Sequence, residues 1–304
     1  MTIRDIPERL QINQYVDTPS NFRMFRHTLD QNIDTHWHQF FELGLVVSGT
    51  GVHKINGTPL RLERGHTFLL TPADFHQITP DPGQTLQLYN LIFTEGMISE
   101  ELSEQLFERR KEYICLLEPE AYVEAEREYE RILNESAAWQ EHSGIIVKGC
   151  IERLLVDLSR SCTLPVENMQ EEAVAVAGEM AGAEVKVGVE TLLPVHPSIR
   201  KALLYLQHHF RNPLLLAEVA QLAGLSANYF SESFSKQTGF TFQAYVRDMR
   251  LQFAKSLIST TSLPITEICF ASGFNTLPYF ERAFKARYGL SPRGLRNRAS
   301  QLSV

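Results

Sequence analysis

The sequence predicts a multidomain protein. An N-terminal antiparallel β-barrel with a helical appendage precedes a C-terminal all-α domain carrying two helix-turn-helix motifs. Three observations predict it. A short motif occurs twice near the C-terminus, as Ala223-Gly224-Leu225-Ser226 … Tyr229-Phe230 … Phe234 … Gly239 and as Ser272-Gly273-Phe274 … Tyr279-Phe280 … Phe284 … Gly289. Apolar residues recur with strand-like spacing before residue 95 and with helical spacing after it. Charge divides the chain too: residues 196–298 carry 13 Lys and Arg against 5 Asp and Glu, a net +8, whereas the rest of the 304 residues has a net −15. A basic end on an acidic body fits a surface that meets phosphate, because neutralised phosphates release condensed counterions.

Residues 1–95 form the expected barrel. Runs such as Phe41-Glu42-Leu43-Gly44-Leu45-Val46-Val47 and Thr67-Phe68-Leu69-Leu70 are cut by turn signals. Asn56-Gly57 is the clearest, since these residues suit the two positive-φ positions of a tight hairpin. Residues 96–162 read as helices. The stripe Ile145-Ile146-Val147 … Ile151 … Leu154-Leu155 … Leu158 suits either a cover for the barrel or a dimer seam. Residues 163–195, rich in small residues with little periodicity, read as a linker. The domain at 196–298 then opens with Ser198 as expected cap of a helix to Phe210.

In the first repeat Leu216–Ala223 is the supporting helix, with Val219, Ala220 and Ala223 inward, and Gly224 supplies the left-handed turn. Ser226 caps the second helix, where Phe230 and Phe234 pack inward and Tyr229 is partly covered. Ala227, Asn228, Ser231, Glu232 and Ser235 point outward. In the second repeat Ile265, Ile268 and Cys269 face inward, Gly273 turns and Thr276 caps. Pro278 stands in the first turn, where its missing N–H costs nothing. Phe280 and Phe284 anchor this helix; Leu277, Pro278, Glu281, Arg282 and Lys285 point outward. Between the repeats Phe242–Ser259 forms one rod, about 27 Å long at 1.5 Å per residue. That length suits two probing helices held about one DNA turn, roughly 34 Å, apart. By charge and position Lys236, Lys285, Arg287 and Arg296 are phosphate contacts, and Arg250 is either another or a buried structural arginine.

These residues resemble the AraC family of bacterial transcription regulators. The resemblance runs over Leu216-Ala217-Glu218-Val219-Ala220, Gly224-Leu225-Ser226, Phe234-Ser235-Lys236-Gln237-Thr238-Gly239 and Arg250 with Ala254-Lys255. It continues through Ile265-Thr266-Glu267-Ile268, Gly273-Phe274, Tyr279-Phe280-Glu281-Arg282-Ala283-Phe284-Lys285 and Gly289-Leu290-Ser291-Pro292 to Arg296. It implies double-stranded DNA near a promoter as partner, a homodimer, and base-reading positions at Asn228, Ser231, Glu232, Pro278, Glu281 and Arg282. Glu232 departs from the family's commoner basic choices: it cannot pair with a guanine edge but can accept from cytosine N4.

At the other end, His36-Trp37-His38-Gln39-Phe40-Phe41-Glu42 places residues 36, 38, 40 and 42 on one face if it is a single strand. His76 completes the set. The spacing resembles the cupin barrel, in whose metal-binding members the matching residues hold a divalent ion. His36, His38, Glu42 and His76 are therefore candidates for an effector pocket and for a metal site, the only cofactor suggested. Bonding of these groups to one another or to backbone stays open beside both. AraC relatives with this barrel usually sense a small molecule, often a sugar.

The leading expectation is a DNA-binding regulator that responds to a small-molecule effector and has no enzymatic activity. A metal-dependent cupin enzyme and an effector-independent DNA-binding protein are the alternatives; neither explains both ends of the chain. No stretch approaches the roughly 18 apolar residues of a membrane span. Met1-Thr2-Ile3-Arg4-Asp5 starts no secretory signal, so a cytoplasmic location away from membranes is expected. Cys115, Cys150, Cys162 and Cys269 show no C-x-x-C pair and read as reduced packing residues.

Overall fold

A computed structural model describes residues 9–10, 21–109, 112–162 and 196–302. The segment read as a linker, 163–195, lies outside them. The first strands are β1 (Arg9–Leu10), β2 (Phe22–Leu29), β3 (Ile33–His38), β4 (Phe41–Ser48) and β5 (Gly51–Ile55). They continue as β6 (Thr58–Leu62), β7 (His66–Leu70), β8 (Phe75–Pro80) and β9 (Leu86–Phe93). Then come α1 (Glu100–Arg109), β10 (Tyr113–Leu116), α2 (Pro119–Ala137) and α3 (Ser143–Ser161). The strands form two five-stranded sheets, ordered β1-β3-β8-β5-β6 and β10-β7-β4-β9-β2. The pairings are antiparallel except β1 with β3.

Strand alternation builds two cores from one strand. Along β4, Phe41, Leu43 and Leu45 face out and pack with Tyr129 and Ile132 of α2 and Leu155 of α3. Glu42, Gly44 and Val46 face the space between the sheets, where Val46 meets Ile55, Phe68, Ile78 and Leu88. Gly44 is needed there, because a Cβ would stand 2.2 Å from the Phe68 ring. Asn56 and Gly57 take φ 51° and 89°, the left-handed pair a tight hairpin requires. One expectation changes. Residues 113–116 form a strand rather than helix, because β7 would otherwise be an open sheet edge. Of the two alternatives for the α3 stripe, Val147, Ile151, Leu154, Leu155 and Leu158 act as a cover packed within their own chain, while Ile145 is exposed.

The C-terminal helices are α4 (Pro197–His209), α5 (Leu216–Leu222), α6 (Ala227–Thr238), α7 (Phe242–Thr260), α8 (Ile265–Ala271), α9 (Leu277–Tyr288) and α10 (Pro292–Leu302). Helices α5–α6 and α8–α9 are the two helix-turn-helix units. Gly224 and Gly273 turn them at φ 70° and 84°. Ser226 accepts from the Tyr229 N–H at 3.4 Å as expected, whereas Thr276 stands at the N-cap without a side-chain bond. His196, not Ser198, caps α4: its ring accepts from the Ser198 N–H, since Pro197 and Ser198 already lie inside the helix. The rod α7 joins both units, giving Phe242 and Val246 to the first core and Phe253, Leu257 and Ile258 to the second. Arg250 settles as structural, donating to the Phe210 and Asn212 carbonyls at 2.6 and 2.7 Å.

The two ends of the chain touch. Trp37 and Phe75 of the barrel belong to the core of the second helix-turn-helix unit, with Phe75 edge-on to Phe253 at 5.7 Å. Arg211 donates to the carbonyls of His38, at 2.8 Å, and Pro72, and its guanidinium lies over Phe253. Gln39 donates to Asn212 at 2.9 Å. Helix α4 is two-faced: Ile199, Ala202 and Leu206 serve the first unit, while Leu204 joins the barrel's helical core. His208 is wedged edge-on between Phe41 and Phe107.

Two stability tests follow from this packing. A Cβ on Gly273 would sit 2.6 Å from the Arg211 carbonyl oxygen, whereas one on Gly224 would meet open space. Gly273→Ala should therefore cost about 1–3 kcal/mol, and Gly224→Ala only the strain of its positive φ, at the low end of that range, by chemical denaturation. Burial pushes His208 down to about 4, against the pull of Glu95. The unfolded imidazole titrates near 6.5, so stability is whole above 6.5 and falls as pH drops toward 4, by about 3 kcal/mol. His208→Phe should take up about one proton fewer on unfolding in that window, measured as the slope of stability against pH.

Candidate effector pocket and nucleic-acid interface

Five imidazoles gather around one carboxylate inside the barrel. Glu42 enters from β4 in one sheet; His36 and His38 come from β3, His53 from β5 and His76 from β8 in the other. His27, on β2, also feels the Glu42 charge. The single-strand picture of residues 36–42 is corrected here. The chain bends at Gln39 and Phe40, so Glu42 meets the histidines across the gap between sheets rather than along one strand. His36 pairs directly across the sheet from His76, and Trp37 from Phe75.

His38, Glu42 and His76 are buried, and their free donor atoms lie within 4.8 Å of one another. Glu42 Oε2 stands 3.3 Å from His38 Nε2 and 3.8 Å from His76 Nε2. His36 stays outside this trio: its Nδ1 bonds the Asp34 carbonyl and its ring lies 4.1 Å from that of His76. Each member of the trio is tied down by its other polar atom. His38 Nδ1 bonds the Phe40 carbonyl at 2.7 Å, Asn90 donates to Glu42 Oε1 at 3.1 Å, and His76 Nδ1 lies 2.9 Å from His53 Nε2. Burial pushes the Glu42 carboxyl up, but the His38 contact and the pull of His38, His36 and His53 outweigh it and hold it below its ordinary value. Burial drives His53 down to about 3 and His76 well below its usual range. The site therefore presents a buried carboxylate held below its ordinary value beside imidazoles of which burial pushes His36, His53 and His76 down, a polar set for a hydrogen-bonding guest. Asn90 and His53 were not picked out from the sequence. Alternation along Gly51-Val52-His53-Lys54-Ile55 could have flagged His53; nothing local marks Asn90.

On the helical domain, Asn228, Glu232 and Lys236 of α6 and Pro278, Arg282 and Lys285 of α9 are exposed, and Ser231 and Glu281 are half-buried. Docking against the barrel leaves both reading helices open. Tyr229, expected to be partly covered, is 54 % exposed beside Asn228. The phosphate candidates divide. Lys236 and Lys285 are exposed with no ion pair among the described residues. Arg287 is held by Asp248 at 2.6 Å. Arg296 turns inward, donating to the Leu263 carbonyl at 2.5 Å, and so is reassigned from phosphate contact to structural tie.

A fold of two packed sheets joined to a tandem helix-turn-helix domain defines a class: a ligand-binding module fused to a DNA-binding one. Comparison with known proteins agrees. Residues 19–143 match the family model described as "AraC-like ligand binding domain", and residues 219–298 match "Helix-turn-helix domain". The chain is similar to the uncharacterized HTH-type transcriptional regulator YfiF of Bacillus subtilis, 25% identical over 93% of this chain and 87% of that one. It is 24% identical to the HTH-type transcriptional activator RhaR of Salmonella schwarzengrund, over 88% of each. The C-terminal domain of AraT, a response regulator from Geobacillus stearothermophilus, is 34% identical, with 34% of this chain and 87% of that chain covered and a TM-score of 0.33. The chain belongs to the AraC family of transcription regulators, with an effector-binding module ahead of its DNA-binding one. No helix among the described residues is long and apolar enough to cross a membrane.

The base-reading, phosphate and structural residues make separable predictions. Arg282→Ala should weaken operator binding by about 1–3 kcal/mol and relax preference at one base pair. Lys236→Ala should lower the slope of log affinity against log salt by about one, while Arg296→Ala leaves that slope alone and lowers the melting temperature.

Proposed function

We propose that this regulator reads promoter DNA with Asn228, Ser231, Glu232, Pro278, Glu281 and Arg282, and that the His38–Glu42–His76 cluster with neighbouring His36 is its effector site. Lys236 and Lys285 supply phosphate contacts, supplemented by Arg287 when DNA competes for it with Asp248. The homodimer expected of the family belongs to the same reading. A cytoplasmic location follows from the DNA partner.

One observation carries the coupling. His38 and His76 point into the barrel, while the intervening Trp37 and Phe75 pack against the rod-helix core. The His38 backbone carbonyl is itself held by Arg211. A guest that moves either histidine moves the wall on which the DNA-binding domain rests. Such a guest changes DNA affinity only by binding the docked and undocked arrangements unequally, and by reciprocity DNA changes its affinity equally.

The test is selection from a random duplex library with the full chain. It should recover a site with two contacted segments about one helical turn apart, and enrichment of no sequence refutes the reading. Arg211→Ala should then shift affinity for that site at least about threefold, since a coupling worth near 1 kcal/mol is typical of such devices. Lys54→Ala, on an exposed barrel position, should not. Equal affinity of wild type and Arg211→Ala removes Arg211 from the coupling.

A further inference from the structure

We infer that the crevice between α2, α3 and the outer face of strands β4 and β7 is a second small-molecule site, shaped for a neutral aromatic molecule of one or two rings. It lies on the opposite face of β4 from the Glu42 cluster, so it stands whether or not that cluster is the effector site.

The space follows from residue size. On the outer face of the sheet Leu43 pairs with Leu69, but the next outward pair is Leu45 with the smaller Thr67. Along α2, Tyr129 and Ile132 fill the groove against α3, whereas one and two turns earlier stand Ala125 and Ala121. Thr67, Ala121 and Ala125 therefore meet where Leu154 and Leu158 of α3 do not close the gap, and a cavity of about 220 Å³ remains. Protein interiors are close-packed and keep few voids larger than a water molecule. An apolar cavity of roughly 150 Å³ already holds benzene. This one has room for a substituted ring or for two fused rings.

The lining decides the chemistry of the guest. Its buried part, Leu43, Tyr129, Leu154 and Leu158, carries no charged side chain. The Tyr129 and Thr67 hydroxyls already donate to the Leu43 and Gly44 carbonyls, at 3.3 and 2.9 Å, so neither calls for a charged partner. Charge is confined to the mouth and balances there: Glu124 is paired with Arg127 at 2.6 Å, and Asp157 lies 3.8 Å from Arg160. A charged guest would give up water without meeting an opposite charge in excess. A neutral ring gains apolar contact and an aromatic neighbour in Tyr129. Leu43 and Gly44 directly follow Glu42, so an occupant also bears on the strand that carries Glu42 into the polar cluster.

The experiment titrates the full chain with p-cresol and with indole by calorimetry, beside benzoate and benzylamine, which carry a charge on a ring of similar size. One neutral molecule per chain and a raised melting temperature are expected, with both charged rings binding at least about tenfold more weakly. Ala125→Leu fills the crevice from α2. It should melt cooperatively at or above the wild-type temperature and lose at least about tenfold in affinity for the neutral rings. Ala121→Leu, one turn away, fills the same space and replaces that variant if it fails to fold. Three results overturn the inference: neither neutral ring binds the wild type, a folded filled variant keeps wild-type affinity, or a charged ring binds as tightly as a neutral one.

Discussion

The structure turns on one two-residue alternation. On β3 and β8 the chain reads histidine, aromatic, histidine on one strand and aromatic, histidine on its neighbour, and the pleat sends the two kinds of side chain to opposite faces. The imidazoles complete a polar cluster around Glu42, and the aromatics complete the apolar core of the second helix-turn-helix unit. Neither core is whole without this wall. The wall that carries the cluster on one face thus carries part of the second unit's apolar core on the other.

The docking is lopsided. Barrel residues enter the core of the second helix-turn-helix unit, while the core of the first contains none. The first unit is reached through α4, whose Leu204 and His208 grip the barrel's helices while Ile199 and Leu206 grip α5 and α6. Arg211 and Asn212, just after α4, are held by the barrel on one side and by Arg250 on the other. The rod α7 thus rests on the barrel near its C-terminal half and carries the first unit at its other end. In this arrangement both helices of the tandem motif that carry the base-reading candidates remain exposed, so the barrel does not cover them.

The repeat was legible because a helix-turn-helix is local. Glycines at left-handed turns, a serine cap and phenylalanines four apart are constraints between residues close in sequence. The structure meets them at Gly224, Gly273, Ser226, Phe230 and Phe284. Misreadings arose where the deciding partner is distant. The Tyr113–Leu116 segment is a strand because β7 offers an edge, and Arg296 turns inward because the Leu263 carbonyl awaits it. The α3 stripe looks the same whether it meets a barrel or a second copy; only the fold shows which.

By itself the sequence determined the two classes of local structure, the separation of charge, the tandem reading helices and the residue types of the histidine–glutamate cluster. Periodicity, turn chemistry and spacing are properties of neighbouring residues, so they survive without a fold. Only the tertiary structure decided that Glu42 meets His38 across two sheets, that Asn90 and His53 orient the cluster, and that Arg211 joins its wall to the DNA-binding domain. Those are contacts between residues up to 173 positions apart, and their partners are chosen by how sheets and helices stack rather than by any local preference of the chain.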